Sequence, residues 1–493
     1  MVSIKEKASQ FKRPVTKVVQ FGEGNFLRAF VDYMIDIANE KGVFDGGVAV
    51  LKPIEFGTLE RFDKQDNLYT VILRGMENGK VVENQRIISC VTKTISVYDD
   101  YAAYLALAED ENIRFVVSNT TEAGIALDND DKYDDVPPKS FPAKLTVFLH
   151  HRFKKFGGDK SKGLIMIPCE LIEFNGQKLK ECVLKLCEKW SLGSDFVAWI
   201  NEACIFAATL VDRIVTGYPR DEAAAICEKL GYNDELLDTA EPFGLWVIES
   251  EKDFSAEFPL DKAGLNVVFT NNLKPYRDRK VKLLNGAHTS MVLAAYLAGK
   301  NIVLECMNDE VIGKYVAKCM NEEIAPTVAL PADEVKAFAA SVVERFKNPF
   351  IKHELLSISL NSVSKWKARV LPSVEEYLQK KGELPKCLTF SLAALIAFYM
   401  SDKKDGAALI GDRNGQPYKI MDDAYVLDFF AEKTAEFKSG KLDAAGLAKA
   451  VVSNVQFWGK DLSSIKGFEA AVAQNLDSIL SKGMNAVLAD IVK

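Results

Sequence analysis

Histidine is the scarcest acid–base residue in this chain, with only His150, His151, His288 and His353 among 493 residues. The nine cysteines are scattered, odd in number and without a CxxC pair. No HxxxH or HxxE spacing accompanies them, so neither a disulfide framework nor a zinc site is expected, and the metal expectation is none. No run of about 18 apolar residues occurs, which argues against a membrane-spanning helix. The opening MVSIKEKASQFKRP lacks the apolar stretch of a secretory signal. An excess of positive charge is missing too: Lys plus Arg number 62 against 69 Asp plus Glu, a net charge of −7. A phosphate-tracking nucleic-acid binder would carry a basic patch instead. What is left is a cytoplasmic protein of ordinary globular composition, 48% hydrophobic and 27% charged, long enough for two or three domains.

The first half alternates strand and helix patterns. Thr16–Phe21, Gly47–Leu51, Ile113–Val117 and Gly163–Ile167 are short β-rich runs, and Leu265–Thr270 reads as a late strand. Leu68–Arg74 and Lys80–Ser89 flank Glu77-Asn78-Gly79 as a hairpin. Strands alternating with helices imply a mainly parallel sheet. Asp128–Pro138 is acidic and proline-bearing and reads as a surface excursion, and Gly411–Gln416 reads as a loop. After Lys274-Pro275 helical periodicity takes over, in Leu283–Leu297, Val311–Met320, Ala332–Phe346, Leu388–Tyr399, Ala424–Phe437 and Ala444–Val452. The expected fold is an α/β Rossmann-like dinucleotide-binding domain over residues 1–275 and a mainly α-helical substrate and catalytic domain over 276–493.

Phe21-Gly22-Glu23-Gly24-Asn25-Phe26-Leu27-Arg28 joins the first strand to a helical stripe of Phe26, Phe30, Tyr33, Met34 and Ile37. The first glycine permits a tight turn. The second lets a pyrophosphate approach the backbone at a helix N-terminus. Leu27 stands where a third glycine is usual. The second strand ends in Lys52-Pro53 rather than in the acid that holds a ribose 2′-hydroxyl. Lys52 is then either a partner for a 2′-phosphate or a solvated strand-end lysine, and NAD against NADP stays open on these residues.

A second constellation is Lys280-Val281-Lys282-Leu283-Leu284-Asn285-Gly286-Ala287-His288. On an α-helix, Lys280, His288 and Asn285 project at roughly 0°, 80° and 140°. An amine, an amide and an imidazole on one face suit proton transfer to or from an alcohol: Lys280 as acid or base, Asn285 as donor to a developing oxyanion, His288 holding a hydroxyl. The alternative is a solvated lysine, a turn-capping asparagine and a satisfied core histidine.

Taken together, the two segments resemble the mannitol dehydrogenase family of long-chain polyol dehydrogenases, in which KxxxxNxxH is the catalytic signature. Asp66-Asn67-Leu68-Tyr69-Thr70, Ser118-Asn119-Thr120-Thr121-Glu122, Val211-Asp212-Arg213-Ile214 and Arg345-Phe346-Lys347-Asn348-Pro349 look like family landmarks. Gln20–Phe30, Ile167–Ile172 and Ile214–Pro219 are similar to the family's hexuronate-reducing members. The resemblance implies a Rossmann-like domain followed by a helical domain with the active site between them. It also implies NAD as cofactor, with Asn119, Thr120, Thr121 and Glu122 beside it, and Lys280, Asn285 and His288 as the catalytic set. Asp212 would be a nearby polar partner, and the reaction would be the reversible, metal-free, NADH-linked reduction of D-tagaturonate to D-altronate. Polyol-oxidising members carry a further oxyanion-binding Asn where this chain has Leu171, after Cys169-Glu170, so Asn119 would have to replace it or one donor would suffice.

A hexuronate partner carries a carboxylate and calls for a cation, preferably a forked guanidinium. The basic stretch from Lys352-His353 to Lys365-Trp366-Lys367-Ala368-Arg369 offers Lys365 or Arg369, with His353 behind them. Trp366 would be a stacking wall or a core aromatic. Competing readings are a fructuronate reductase, a neutral polyol dehydrogenase and a non-catalytic dinucleotide sensor. The last has no use for Lys280, Asn285 and His288 together.

Overall fold

The computed structural model describes every residue except Glu122. Two compact units emerge: Met1–Gly75 with Val81–Leu273, and Lys274–Lys493 with Met76–Lys80. The hairpin tip 76–80 thus groups with the second unit.

The first unit is built on six strands, β1 (Thr16–Phe21), β2 (Gly47–Lys52), β3 (Val91–Ser96), β4 (Phe115–Ser118), β5 (Ile165–Pro168) and β6 (Ile205–Phe206). Their order is β3-β2-β1-β4-β5-β6, parallel throughout. This is the doubly wound, Rossmann-type order, with its switch point between β1 and β4. Val18, Val48, Val50, Phe115, Val117, Ile165 and Ile167 face one hydrophobic core. Their neighbours Val19, Phe21, Ala49, Leu51, Val116 and Met166 face a second. Burial on both faces is why these strands read as unbroken apolar runs. A three-stranded sheet (Ala208–Asp212, Leu245–Glu249, Val267–Thr270), a four-stranded one containing the Tyr69–Glu77/Lys80–Ile88 hairpin and a parallel pair of Val2–Ser3 with Tyr232–Asn233 complete the unit.

A buried polar cluster lies under the helix that follows β1. Asp32 accepts from the Tyr69 hydroxyl at 2.7 Å and from Gln20 at 3.4 Å. Asp238 sits 3.7 Å from the Arg28 guanidinium and accepts no hydrogen bond through either oxygen among the described residues. Burial pushes both carboxyls up to about 7, against an ordinary 3.8. The folded state therefore holds more protons than the unfolded chain between those values. The stability these groups allow is full below the unfolded value and is lost as pH rises through about 7. The first unit should melt at a lower temperature at pH 8 than at pH 6, and Asp32→Asn should flatten that dependence. Calorimetry across the range checks this, and a melting temperature that rises from pH 6 to 8 would contradict it.

In the second unit the helix Lys386–Tyr399 is buried on almost every side. The Glu323 carboxylate caps its start, accepting from the Cys387 and Leu388 N–H groups at 2.8 and 2.9 Å. Ala287–Leu297 and Phe468–Lys482 pack against it. One expectation is corrected: residues 411–416 are not a loop. Ala408–Arg413 and Gln416–Ile420 are antiparallel strands, joined through Asn414 and Gly415 at φ 55° and 84°. An Asn-Gly pair with both φ positive makes a two-residue hairpin turn, which helical periodicity on either side concealed. Among the described residues no helix is long and apolar enough to cross a membrane.

Candidate active site

The glycine turn closes the carboxyl end of β1. The Gly22 N–H donates to Leu51 O at 3.0 Å, and the Asn119 N–H donates to Phe21 O at 3.2 Å. The turn is thereby fixed between the ends of β2 and β4. Gly22 has φ +123°, and a Cβ there would lie 3.3 Å from both the Asn119 carbonyl oxygen and the Leu27 side chain. Leu27, in place of a third glycine, thus makes the close helix contact itself. Gly24 would point a Cβ into open space, and no side chain caps the helix that begins at Asn25. Free N–H groups at such a start suit a phosphate.

Beside the turn lies a cavity of about 780 Å³, within the usual range for a bound cofactor. Gly22, Glu23, Gly24, Asn119, Thr120 and Thr121 line it. Pro53 and Ile54 also line it, as do parts of 123–130 and Lys139–Phe141. The acidic segment is therefore no mere surface excursion. Asp131 is buried and accepts from the Lys139 and Ser140 N–H groups, folding the loop back, while Asp128, Asn129 and Asp130 reach the cavity wall. The other cofactor candidates shape the turn. The Phe21 ring packs on Phe141 at 4.9 Å and Phe26 stacks on Phe30 at 5.0 Å. Arg28 donates to Leu236 O at 2.6 Å and to the Asn25 side chain. Lys52 is buried and its ammonium donates to Ile54 O and Glu55 O at 2.8 and 3.1 Å. Burial raises the Glu23 carboxyl. Glu122 lies outside the described residues.

Sequence reasoning left Glu170 without a role. Its carboxylate accepts from Ser118 Oγ, Thr120 N and Thr120 Oγ1, each at 3.0 Å. It is buried, and burial raises its pKa against the pull of those donors. Asn119 donates through its amide to Cys169 O at 2.7 Å. The end of β4 is thus pinned to the end of β5 by contacts 50 residues apart in sequence, a separation that no local pattern reveals. Leu171 is exposed. Asp212 is buried at the end of the strand Ala208–Asp212.

In the second unit, Lys280–Gly286 is π-helical and continues into the α-helix Ala287–Leu297. A π-turn bonds i to i+5 and takes up more residues per turn than an α-helix, which draws residues five apart toward one face. Lys280 and Asn285 are such a pair, whereas α-helical geometry would set them roughly 140° apart. Gly286 is required inside this turn, because a Cβ there would stand 2.9 Å from the Arg369 carbonyl oxygen. His288 is buried, its ring stacked on Phe346 at 4.1 Å and edge-on to His353 at 5.1 Å. Its Nε2 has no hydrogen-bond partner among the described residues. Burial first, then His353, Arg345, Arg369 and Lys365, depress its pKa well below the usual 6.5, so the ring is neutral at neutral pH. The neighbouring Lys282 is structural, donating to Thr327 O at 2.9 Å and to Glu376 at 2.7 Å. Trp366 is a core aromatic, donating to Ser391 at 2.9 Å and packing on Trp458 at 5.3 Å. Among the described residues no group of three or more His, Cys, Asp or Glu is arranged to hold a metal ion.

The sequence profile of the mannitol dehydrogenase Rossmann domain matches residues 16–262, and that of the mannitol dehydrogenase C-terminal domain matches 272–480. The chain belongs to the mannitol dehydrogenase family. It is accordingly an oxidoreductase acting on a CH–OH group. Other members similar to it include the altronate oxidoreductases of Yersinia enterocolitica, 46% identical over 474 residues, and of Pectobacterium atrosepticum, 48% identical over 474 residues, each alignment covering 96% of both chains. Two solved structures share the family fold at 20% identity. One is Pseudomonas fluorescens mannitol 2-dehydrogenase in ternary complex with NAD and D-mannitol, with a TM-score of 0.66 over 100% of this chain and 99% of the other. The other is a substrate-free D-sorbitol dehydrogenase, with a TM-score of 0.76 over 99% and 100%.

Proposed function

We propose that this protein reduces D-tagaturonate to D-altronate, reversibly, with NADH and without a metal ion. The observation that carries the substrate is the 46–48% identity, end to end, with altronate oxidoreductases. The residues fit the cofactor: a turn with glycine at Gly22 and Gly24 and an uncapped helix start, opening on a cavity of about 780 Å³. Bound NADH would supply the hydride that turns the substrate carbonyl into an alkoxide. Lys280 then gives its proton to that oxygen, and the Asn285 amide donates to it as charge develops. His288, neutral, pairs with a substrate hydroxyl through the nitrogen that has no protein partner. In the oxidising direction the same groups act in reverse.

Selectivity for NADH over NADPH follows from the cavity wall. Lys52 is engaged by two carbonyls, the lysine that lines the cavity, Lys139, is paired with Asp128 at 3.1 Å, and Asp130 opposes a 2′-phosphate by like charge. The deciding experiment is a rate panel of tagaturonate, fructuronate and fructose with NADH and NADPH, with and without EDTA. Tagaturonate with NADH should be fastest, by about tenfold or more over NADPH, and should survive chelation. Equal or reversed rates for tagaturonate and fructuronate would remove the substrate assignment.

A further inference from the structure

We propose that Arg369, assisted by Lys365, is the group that reads the substrate carboxylate and so makes this site selective for a sugar acid over a neutral ketose. The proposal rests on the functional reading above and deepens it.

Arg369 ends the helix Ser362–Arg369. Its guanidinium is partly buried, enough for desolvation to lower its pKa. The side chain makes no ion pair and no hydrogen bond among the described residues. A half-buried guanidinium whose donor fork meets no acceptor among the described residues leaves that fork open to a ligand. Its surroundings compound this. Lys365 lies four residues earlier, on the same face of the helix, and burial first, then Arg369, push the Lys365 pKa down. A like-charge pair at that spacing destabilises a helix. His288 feels Arg345, Arg369 and Lys365 as well as His353, and its Nε2 is buried and unpartnered. The one acid felt by Lys365 is Asp422, which accepts from the Tyr399 hydroxyl at 2.6 Å and from the Val363 N–H at 3.3 Å. Buried and half-buried cations thus gather around a buried, unpartnered imidazole, an imbalance that an anion would relieve.

The geometry also says why arginine leads. The Lys365 ammonium already donates to Ile358 O at 2.8 Å, whereas the Arg369 fork is open and matches two carboxylate oxygens at once. The helix is held in place by Trp366, and its last carbonyl abuts Gly286 inside the π-turn. The anion reader is therefore in backbone contact with the segment that carries Lys280 and Asn285.

The test compares wild type with Arg369→Gln and Arg369→Lys, each checked for an unchanged melting temperature. For the keto-uronate, Arg369→Gln should raise KM by about 10–100-fold, with a smaller change in kcat and none in the KM for NADH. Arg369→Lys should recover part of the loss. The ratio of kcat/KM for tagaturonate over fructose should fall by the same factor, which a merely structural defect would not produce, because it would lower both. Calorimetric titration with D-altronate provides a readout independent of turnover. Binding that weakens in Arg369→Gln supports the proposal even if wild type reduces no keto-uronate, in which case the functional reading alone fails. Equal altronate binding, or an unchanged uronate-to-ketose ratio, in folded Arg369→Gln overturns the proposal. So does a wild type that binds no altronate.

Discussion

Lys280→Ala should lower kcat by about 10²–10⁴-fold, the usual contribution of a positioned general acid–base group. Cofactor binding should survive, because the glycine turn and its cavity belong to the other unit. The loss should fall on kcat and on kcat/KM alike, the signature of an interaction made in the transition state. Lys282, two residues on, provides the control. It is a lysine in the same π-turn, but its ammonium is tied to Thr327 and Glu376. Lys282→Met should therefore appear in thermal stability rather than in the chemical step. Stopped-flow oxidation of NADH separates the two, and a Lys280→Ala enzyme with wild-type turnover would end the assignment of Lys280.

Glu170→Ala should be the most damaging substitution in the nucleotide-binding unit. It removes the acceptor of three hydrogen bonds in a buried setting and strands the donors of Ser118 and Thr120. A loss of about 3 kcal/mol or more is expected, at about 1 kcal/mol or more for each donor left unsatisfied. Asn119 and Thr120 line the cavity, so the Kd for NADH should rise as well, by about tenfold. Glu170→Gln should behave differently. Its carbonyl oxygen still accepts from Thr120, and its amide can donate to the Ser118 hydroxyl, which can turn to accept. Burial already works against the charge at this position, so losing the charge costs little. Urea unfolding and NADH titration of both variants test this, and a Glu170→Ala protein as stable as wild type would refute it.

The contrast between Glu170 and Lys280 shows what a single sequence makes legible. Strands β1, β2, β4 and β5 stand out because each is buried on both faces and reads as a short apolar run. The Gly22–Gly24 turn and the Lys280/Asn285/His288 spacing are local, so they survive in one dimension. The π-turn does not. Nothing in the residue types separates it from an α-helix, and α-helical geometry sets Lys280 and Asn285 farther apart around the axis than the π-turn does. Glu170 and the contact of Gly286 with Arg369 join residues far apart in the chain. Local periodicity carries no trace of them.

The π-turn also has a meaning in terms of chain length. A helix that widens for one turn and then resumes holds one residue more than a regular helix spanning the same path. Deleting any single residue between Lys280 and Asn285 would let the segment relax into unbroken α-helix. Lys280 and Asn285 would then stand four residues apart, about 40° from each other around an α-helix, and would still share a face. The extra residue is therefore spare for their pairing; what a deletion would lose is the widened turn that sets Gly286 against the Arg369 carbonyl.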